Sequence, residues 1–424
     1  MSLTVVCGVN WGDEGKGRIV DYLAKDADVV VRYQGGNNAG HTVVNEFGTF
    51  KLHLIPSGIF RPTILNVLGP GMVIDLEALV DEIDKLQGAG IPIGNIVISD
   101  RATVCFPFHR LEDEWEEERL GHRAYGSTKR GIAPAYGDRH LKKAIRVGDL
   151  LQPAWLRAQL QTIVEWKTLM SAGVYGKVNA ISLSDTVEWA ERFGRRLSAL
   201  IVDTSSMLER QVADGKRLLF EAQLGALRDV YFGVYPFTSS SCALASFAAV
   251  GSGLFGHSID RVVGVMKAFA TCVGVGPFVT EMQAEVANAL REVAFEYGAA
   301  TGRPRRIGHF DAVASRYGAY LQGATEIALT KLDSLSGLST LKICTAYRIR
   351  GETSTAFPLN SLLDEAEPEY VEMKAWTEDI TSCRHFQELP PAARQYVSAI
   401  EQLIERRIRY ISVGPERSQL IEIF

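Results

Sequence analysis

Apolar positions along the chain change period in an ordered way. Leu3–Cys7 is a short β-branched run, and Gly8–Gly15 is rich in turn formers. Lys16–Lys25 then places Ile19, Val20, Tyr22 and Leu23 at helical spacing, and Val29–Tyr33 is again continuous and apolar. Gln34–His41 follows as a second loop of glycine, asparagine and glutamine. Strand, loop, helix, strand, loop predicts a parallel, doubly wound sheet. The same reading predicts strands at Ile64–Leu68 and Ile96–Ser99 around a helix at Leu76–Leu86. It predicts one long amphipathic helix over Thr186–Arg210 leading into a strand at Arg217–Phe220. Further strands are expected at Val262–Ala268, Ile327–Thr330 and Leu341–Ala346. Without internal repeats or a long polar linker, the 424 residues read as one large α/β domain, residues 1–424, with helical excursions.

Composition narrows the classes. Net charge is −5, from 45 basic and 50 acidic residues, so no basic excess points to nucleic acid or an anionic membrane. The longest weakly polar run, Cys242 to Gly256, falls short of the roughly 20 apolar residues that span a bilayer. The chain enters a strand-like segment directly, without a secretory pattern. Its six cysteines form no CxxC pair, which fits free thiols in a reducing cytoplasm.

Two glycine-rich loops carry the chemistry. In Gly8–Arg18, glycines between a strand and a helix N-terminus let backbone N–H groups close around a phosphate. The loop is not a Walker A motif, because Gly17 follows Lys16 where a hydroxyl residue is required. Asp13 is then the available oxygen donor for Mg²⁺. A plain βα turn with Asp13 as helix cap fits the spacing equally well. Gln34–Thr42 sets backbone and amide donors near the strand's C-terminal end, where open α/β sheets bind ligands. There His41 could serve as an acid or as a charge-stabilising donor.

Taken together, G-x-N-W-G-D-E-G-K-G-x-x-V-D and R-Y-Q-G-G-x-N-A-G-H-T resemble the N-terminal signature of adenylosuccinate synthetases. Leu52–Gly58, Gly126–Tyr136, Arg146–Leu150, Thr301–Arg306, Leu329–Asp333 and Ser412–Arg417 continue the resemblance in the family's order. It implies a large, mostly parallel central sheet with flanking helices and a P-loop-like GTP-binding architecture. It also implies a cytoplasmic homodimer that uses Mg²⁺ and joins L-aspartate to IMP at the expense of GTP, through a 6-phosphoryl intermediate.

By motif, the resemblance makes Asp13 and His41 catalytic, and Asp13 with the Gly40 carbonyl the metal ligands. Gly12, Glu14, Gly15, Lys16, Gly17, Arg18, Gly40, His41, Thr42 and Arg305 would surround the GTP phosphates. Lys331, Leu332, Asp333, Ser412, Val413 and Gly414 would hold guanine, whose N1–H and N2–H suit the Asp333 carboxylate. Asn38, Thr128, Lys142, Gln223, Leu224, Ser239 and Arg303 would meet the purine nucleotide, with Lys142 reaching across the dimer. Ala299, Ala300, Thr301, Gly302, Arg303 and Arg305 would hold aspartate.

The departures gather in the nucleotide pocket. The family's E-G-A-Q-G-x-x-L-D is here Glu221–Asp229, with Gln moved by one position and Leu224 where the family has Gln. Ser239, Cys242 and Cys272 replace Thr, Asn and Arg, and Lys142 replaces Arg. Val279 stands for Pro, His309 for Trp and Ala300 for Thr. A pocket that loses a polar contact discriminates differently. A paralogue acting on a modified purine or another 6-oxo acceptor is therefore the alternative to the ordinary enzyme. A GTP-binding protein without catalysis is the third reading.

Overall fold

The computed structural model describes residues 2–38, 40–45, 47–298 and 302–424. Its centre is a ten-stranded sheet. In chain order the strands are β1 (Ser2–Gly8), β2 (Val29–Arg32), β3 (Leu65–Leu68), β4 (Ile96–Ser99) and β5 (Ile201–Val202). They continue with β6 (Arg217–Gly225), β7 (Arg261–Lys267), β8 (Glu326–Thr330), β9 (Ile408–Ser412) and β10 (Leu420–Glu422). The spatial order is β10-β9-β8-β7-β1-β6-β2-β3-β4-β5, parallel throughout except for the edge strand β10.

β1 is central, so both of its faces are covered. Leu3, Val5 and Cys7 pack in one buried cluster with Leu208 and Val212, while Val6 packs on the other side with Ile19 and Val20. This period-two division is what a continuous apolar run becomes when helices cover both faces of a sheet. The first seven α-helices in chain order are α1 (Lys16–Leu23), α2 (Leu76–Gly88), α3 (Pro107–Leu120), α4 (Ile132–His140), α5 (Pro153–Tyr175), α6 (Leu183–Leu197) and α7 (Thr204–Ala213). Asp75 caps α2 by accepting from the Ala78 N–H at 3.1 Å.

Three expectations are corrected. The helix expected over Thr186–Arg210 is two helices, α6 and α7, separated by a 3₁₀ turn and the two-residue strand β5. Ile201 and Val202 pair with Ile98 and Ser99, extending the sheet edge. Leu341–Ala346 is a strand, Thr340–Ile349, but it lies in a separate four-stranded sheet. The second glycine-rich loop ends at Gly40, and His41 opens a hairpin strand, His41–Asn45, paired with Gly48–Leu52. No described helix is long and apolar enough to cross a membrane.

Candidate active site

β1 delivers the first loop, whose shape is held from inside. Gly12, Asp13 and Gly15 all adopt positive φ, at 97°, 60° and 90°. For a non-glycine residue such as Asp13 this conformation is uncommon and tends to gather at functional sites. The Glu14 carboxylate turns inward and accepts from the N–H of Asn10 (3.2 Å) and of Gly12 (2.8 Å), and from Lys16 Nζ (2.6 Å). Glu14 and Lys16 are both buried, so their charges neutralise one another beneath the loop. Gly15 is the N-cap of α1 and no side chain caps that helix, so Asp13 is not its cap. The first turn of α1 keeps its donors for an anion.

His41 packs against this turn. A Cβ on Gly17 would sit 2.7 Å from the His41 Cβ, so only glycine lets the two elements approach so closely. The His41 Nδ1 bonds the buried Glu221 carboxylate, which also accepts from Ser57 N (2.8 Å) and Ser57 Oγ (2.7 Å). Burial would push the Glu221 carboxyl up, but His41 and Arg32 hold it below the usual range, so Nδ1 carries the shared proton. Burial pulls the His41 pKa down, against the pull of Glu221. His41 Nε2 is buried and, among the described residues, has no hydrogen-bond partner. A phosphate oxygen reaching it would draw a second proton onto the ring, since nearby negative charge favours the cation.

Asp13 opens onto a cavity of about 670 Å³. The cavity is also lined by Asn38, Gly40, Thr128, Leu224, Ser239 and Arg303, so seven of the expected ligand contacts converge there. Arg305 Nε donates to Asp13 Oδ2 at 2.9 Å. Its Nη1 reaches Glu296 at 2.5 Å, and Lys267 Nζ meets the same Glu296 oxygen at 2.7 Å. This Lys267–Glu296–Arg305–Asp13 chain alternates in sign. Burial alone would raise the Asp13 pKa, but Arg305, Lys267 and Lys16 bring it below the ordinary value. Asp13 is thus a hard, anionic oxygen donor on a cavity that Gly40 also lines, the donor type that suits Mg²⁺. Burial also lowers the Lys267 pKa to about 8, despite Glu296.

Sequence reading missed Lys267 and Glu296. Lys267 did carry a signal, being the single charge at the end of an otherwise apolar run, Val262–Ala268. The arginine-rich loop is divided rather than pooled. Arg303 donates to the Gly126 carbonyl at 3.0 Å at the cavity wall, whereas Arg306 leaves the site and pairs with Glu281 at 2.5 Å. Gly302 is exposed, and Ala299, Ala300 and Thr301 lie outside the described residues.

A bulge sets which way Gln223 and Leu224 face. Val6 pairs with Glu221 and Gly8 with Gly225, so β6 spends four residues where β1 spends two. Gln223, fully buried, bonds the Gly36 N–H (2.9 Å), the Gly36 carbonyl (3.0 Å) and Asn38 Oδ1 (2.9 Å). It braces the second loop from behind, and Leu224, at φ 62°, takes the cavity face.

The expected guanine residues meet beside α1. Arg18 donates to Ser412 Oγ and to the Gln419 carbonyl (2.8 Å), and Lys331 donates to the Ala294 carbonyl (2.8 Å). Burial raises the Asp333 carboxyl, while Lys331 and Arg18 oppose it. Leu332 and Val413 are core residues, so they shape this wall through the backbone. Gly414 follows Val413 at the end of β9, and Thr42 is exposed on the hairpin. Lys142 is exposed past the end of α4 and is not part of the cavity wall of its own chain.

A family model described as adenylosuccinate synthetase matches residues 5–421. An adenylosuccinate synthetase 2 of Pseudoalteromonas translucida is 50% identical over 99% of this chain and 100% of its own. An adenylosuccinate synthetase of Caldanaerobacter subterraneus is 45% identical over 99% of each chain. The fully ligated adenylosuccinate synthetase structure from Plasmodium falciparum superposes with a TM-score of 0.94 at 33% identity, covering 100% of both chains. A cyanophage S-2L succinoaminodeoxyadenylate synthetase, at 18% identity and TM-score 0.62, shares the fold. With the family model spanning nearly the full length, the chain belongs to the adenylosuccinate synthetase family.

Proposed function

We propose that the protein joins the amine of L-aspartate to C6 of IMP, converting GTP to GDP and phosphate. The observation that carries this is the convergence on one cavity of an ionised Asp13, the Gly40 carbonyl, Thr128, Ser239 and Arg303. An oxo group leaves poorly until phosphorylated, and phosphoryl transfer needs chiefly alignment and charge neutralisation. Asp13 takes the purine N1 proton, which makes O6 the nucleophile. The first-turn N–H groups of α1 and His41 Nε2 receive charge from the transferring phosphoryl group. Arg303 and Arg305 orient the aspartate carboxylates, for which planar guanidinium forks are suited. Lys331 and Asp333 select guanine. Asp13 and the Gly40 carbonyl would hold Mg²⁺, which would supply further charge neutralisation at the phosphates. The protein acts as a homodimer, with Lys142 reaching the partner's nucleotide.

Relatives named as adenylosuccinate synthetases match at 45–50% identity over nearly full length, which favours IMP over a modified acceptor despite Leu224. The test is incubation with GTP, Mg²⁺, aspartate and IMP. Adenylosuccinate absorbance and stoichiometric phosphate are expected. Phosphate release only with some other acceptor would overturn the reading. Asp13→Ala should abolish phosphate release while GTP binding stays detectable.

A further inference from the structure

Arg228 follows the β6 bulge and lines the cavity. Its Nη2 lies 3.0 Å from Cys272 Sγ and 2.6 Å from the Val273 carbonyl, and its Nη1 donates to the Phe237 carbonyl. Its own carbonyl accepts the Ser239 N–H at 2.8 Å. One residue therefore holds the turn bearing Phe237 and Ser239 by both backbone and side chain, and ties it to the turn at Cys272–Val273. All of these residues but Cys272 line the cavity.

Positions 228 and 272 are in contact in the structure. A guanidinium projecting from 272 would enter the volume that Arg228 fills, and two like charges there would repel.

We propose that Arg228 is a positioning residue for the nucleotide acceptor, supplying the guanidinium that fixes the Phe237–Ser239 turn against the turn at Cys272–Val273. The inference rests on the cavity being the IMP site. Its consequence is a defect in acceptor binding rather than in phosphoryl transfer.

Steady-state kinetics with IMP as the varied substrate test this, alongside calorimetric IMP binding and melting temperature for each variant. R228L should raise KM for IMP by about tenfold with kcat nearly unchanged, as for lost binding common to ground and transition states. R228K, retaining charge without the planar fork, should fall between R228L and the parent. C272R alone should also weaken IMP binding. The double variant R228L/C272R should return KM to within about twofold of the parent, because the guanidinium is restored from the other side. An unchanged KM in R228L, or a double variant no better than R228L, overturns the proposal. A fall in kcat and melting temperature without a change in IMP affinity overturns the positioning role. Should the parent bind IMP without turning it over, the proposed reaction fails while the calorimetric series still decides the role of Arg228.

Discussion

Glu14 gathers two backbone N–H groups and an ammonium onto one buried carboxylate. Removing one member of a buried ion pair leaves the other charge uncompensated, which typically costs about 3 kcal/mol or more. Glu14→Gln keeps an acceptor for the N–H groups but strands Lys16. We expect a loss of about 3 kcal/mol in urea unfolding, with reduced turnover because the loop relaxes. Glu82 makes a different statement about charge. Its carboxylate accepts from the N–H groups of His53, Leu54 and Ile55, yet burial outweighs them and raises its pKa from 4.5 to about 7. A raised carboxyl pKa means that the fold prefers the protonated form. The cost of ionisation is absent below 4.5, grows as pH rises towards 7 and is constant above. The stability difference between Glu82→Gln and the parent should therefore shift in favour of the variant between pH 4.5 and 7. A difference flat across that window would show that Glu82 ionises freely.

At the scale of elements, the junction of α1 with the hairpin strand His41–Asn45 sets two effects against each other. Ala is favoured over Gly inside a helix by about 1 kcal/mol. At position 17, however, a Cβ would fall 2.7 Å from the His41 Cβ, so the collision outweighs the propensity. Gly17→Ala should lower kcat at least about tenfold by moving His41, with phosphate release as the readout. The same scale shows what a single sequence can disclose. The β1–loop–α1–β2 unit was legible because period, glycine placement and strand type agree within some thirty residues. The break between α6 and α7 was not, because Leu200, Ile201 and Val202 continue a helical apolar stripe. Its one local mark is Asp203, which caps α7 by accepting from the Ser206 N–H at 3.1 Å. The bulge that turns Gln223 inward needs the register between β1 and β6, and Lys267 meets Glu296 only across 29 positions. No period in the sequence encodes either pairing.

For the whole molecule, Lys142 supplies the sharpest expectation. It lies outside its own chain's cavity wall, and in the proposed homodimer its part is to reach the partner's nucleotide. Lys142→Ala and Asp13→Ala should each be nearly inactive alone. Random mixing of the two should restore roughly a quarter of the parent's activity, because half of the dimers would contain one complete site. No recovery on mixing, after exchange of subunits has been verified, would place Lys142 outside catalysis.

The alternating chain from Lys267 through Glu296 and Arg305 to Asp13 makes the end of β7 answerable for the first glycine-rich loop. A replacement at Lys267, which does not line the cavity, would strand Glu296, loosen the grip on Arg305 and so change the basicity of the Asp13 carboxylate. A geneticist scoring such a lesion would file it with the catalytic mutants, although the altered side chain stands off the cavity wall.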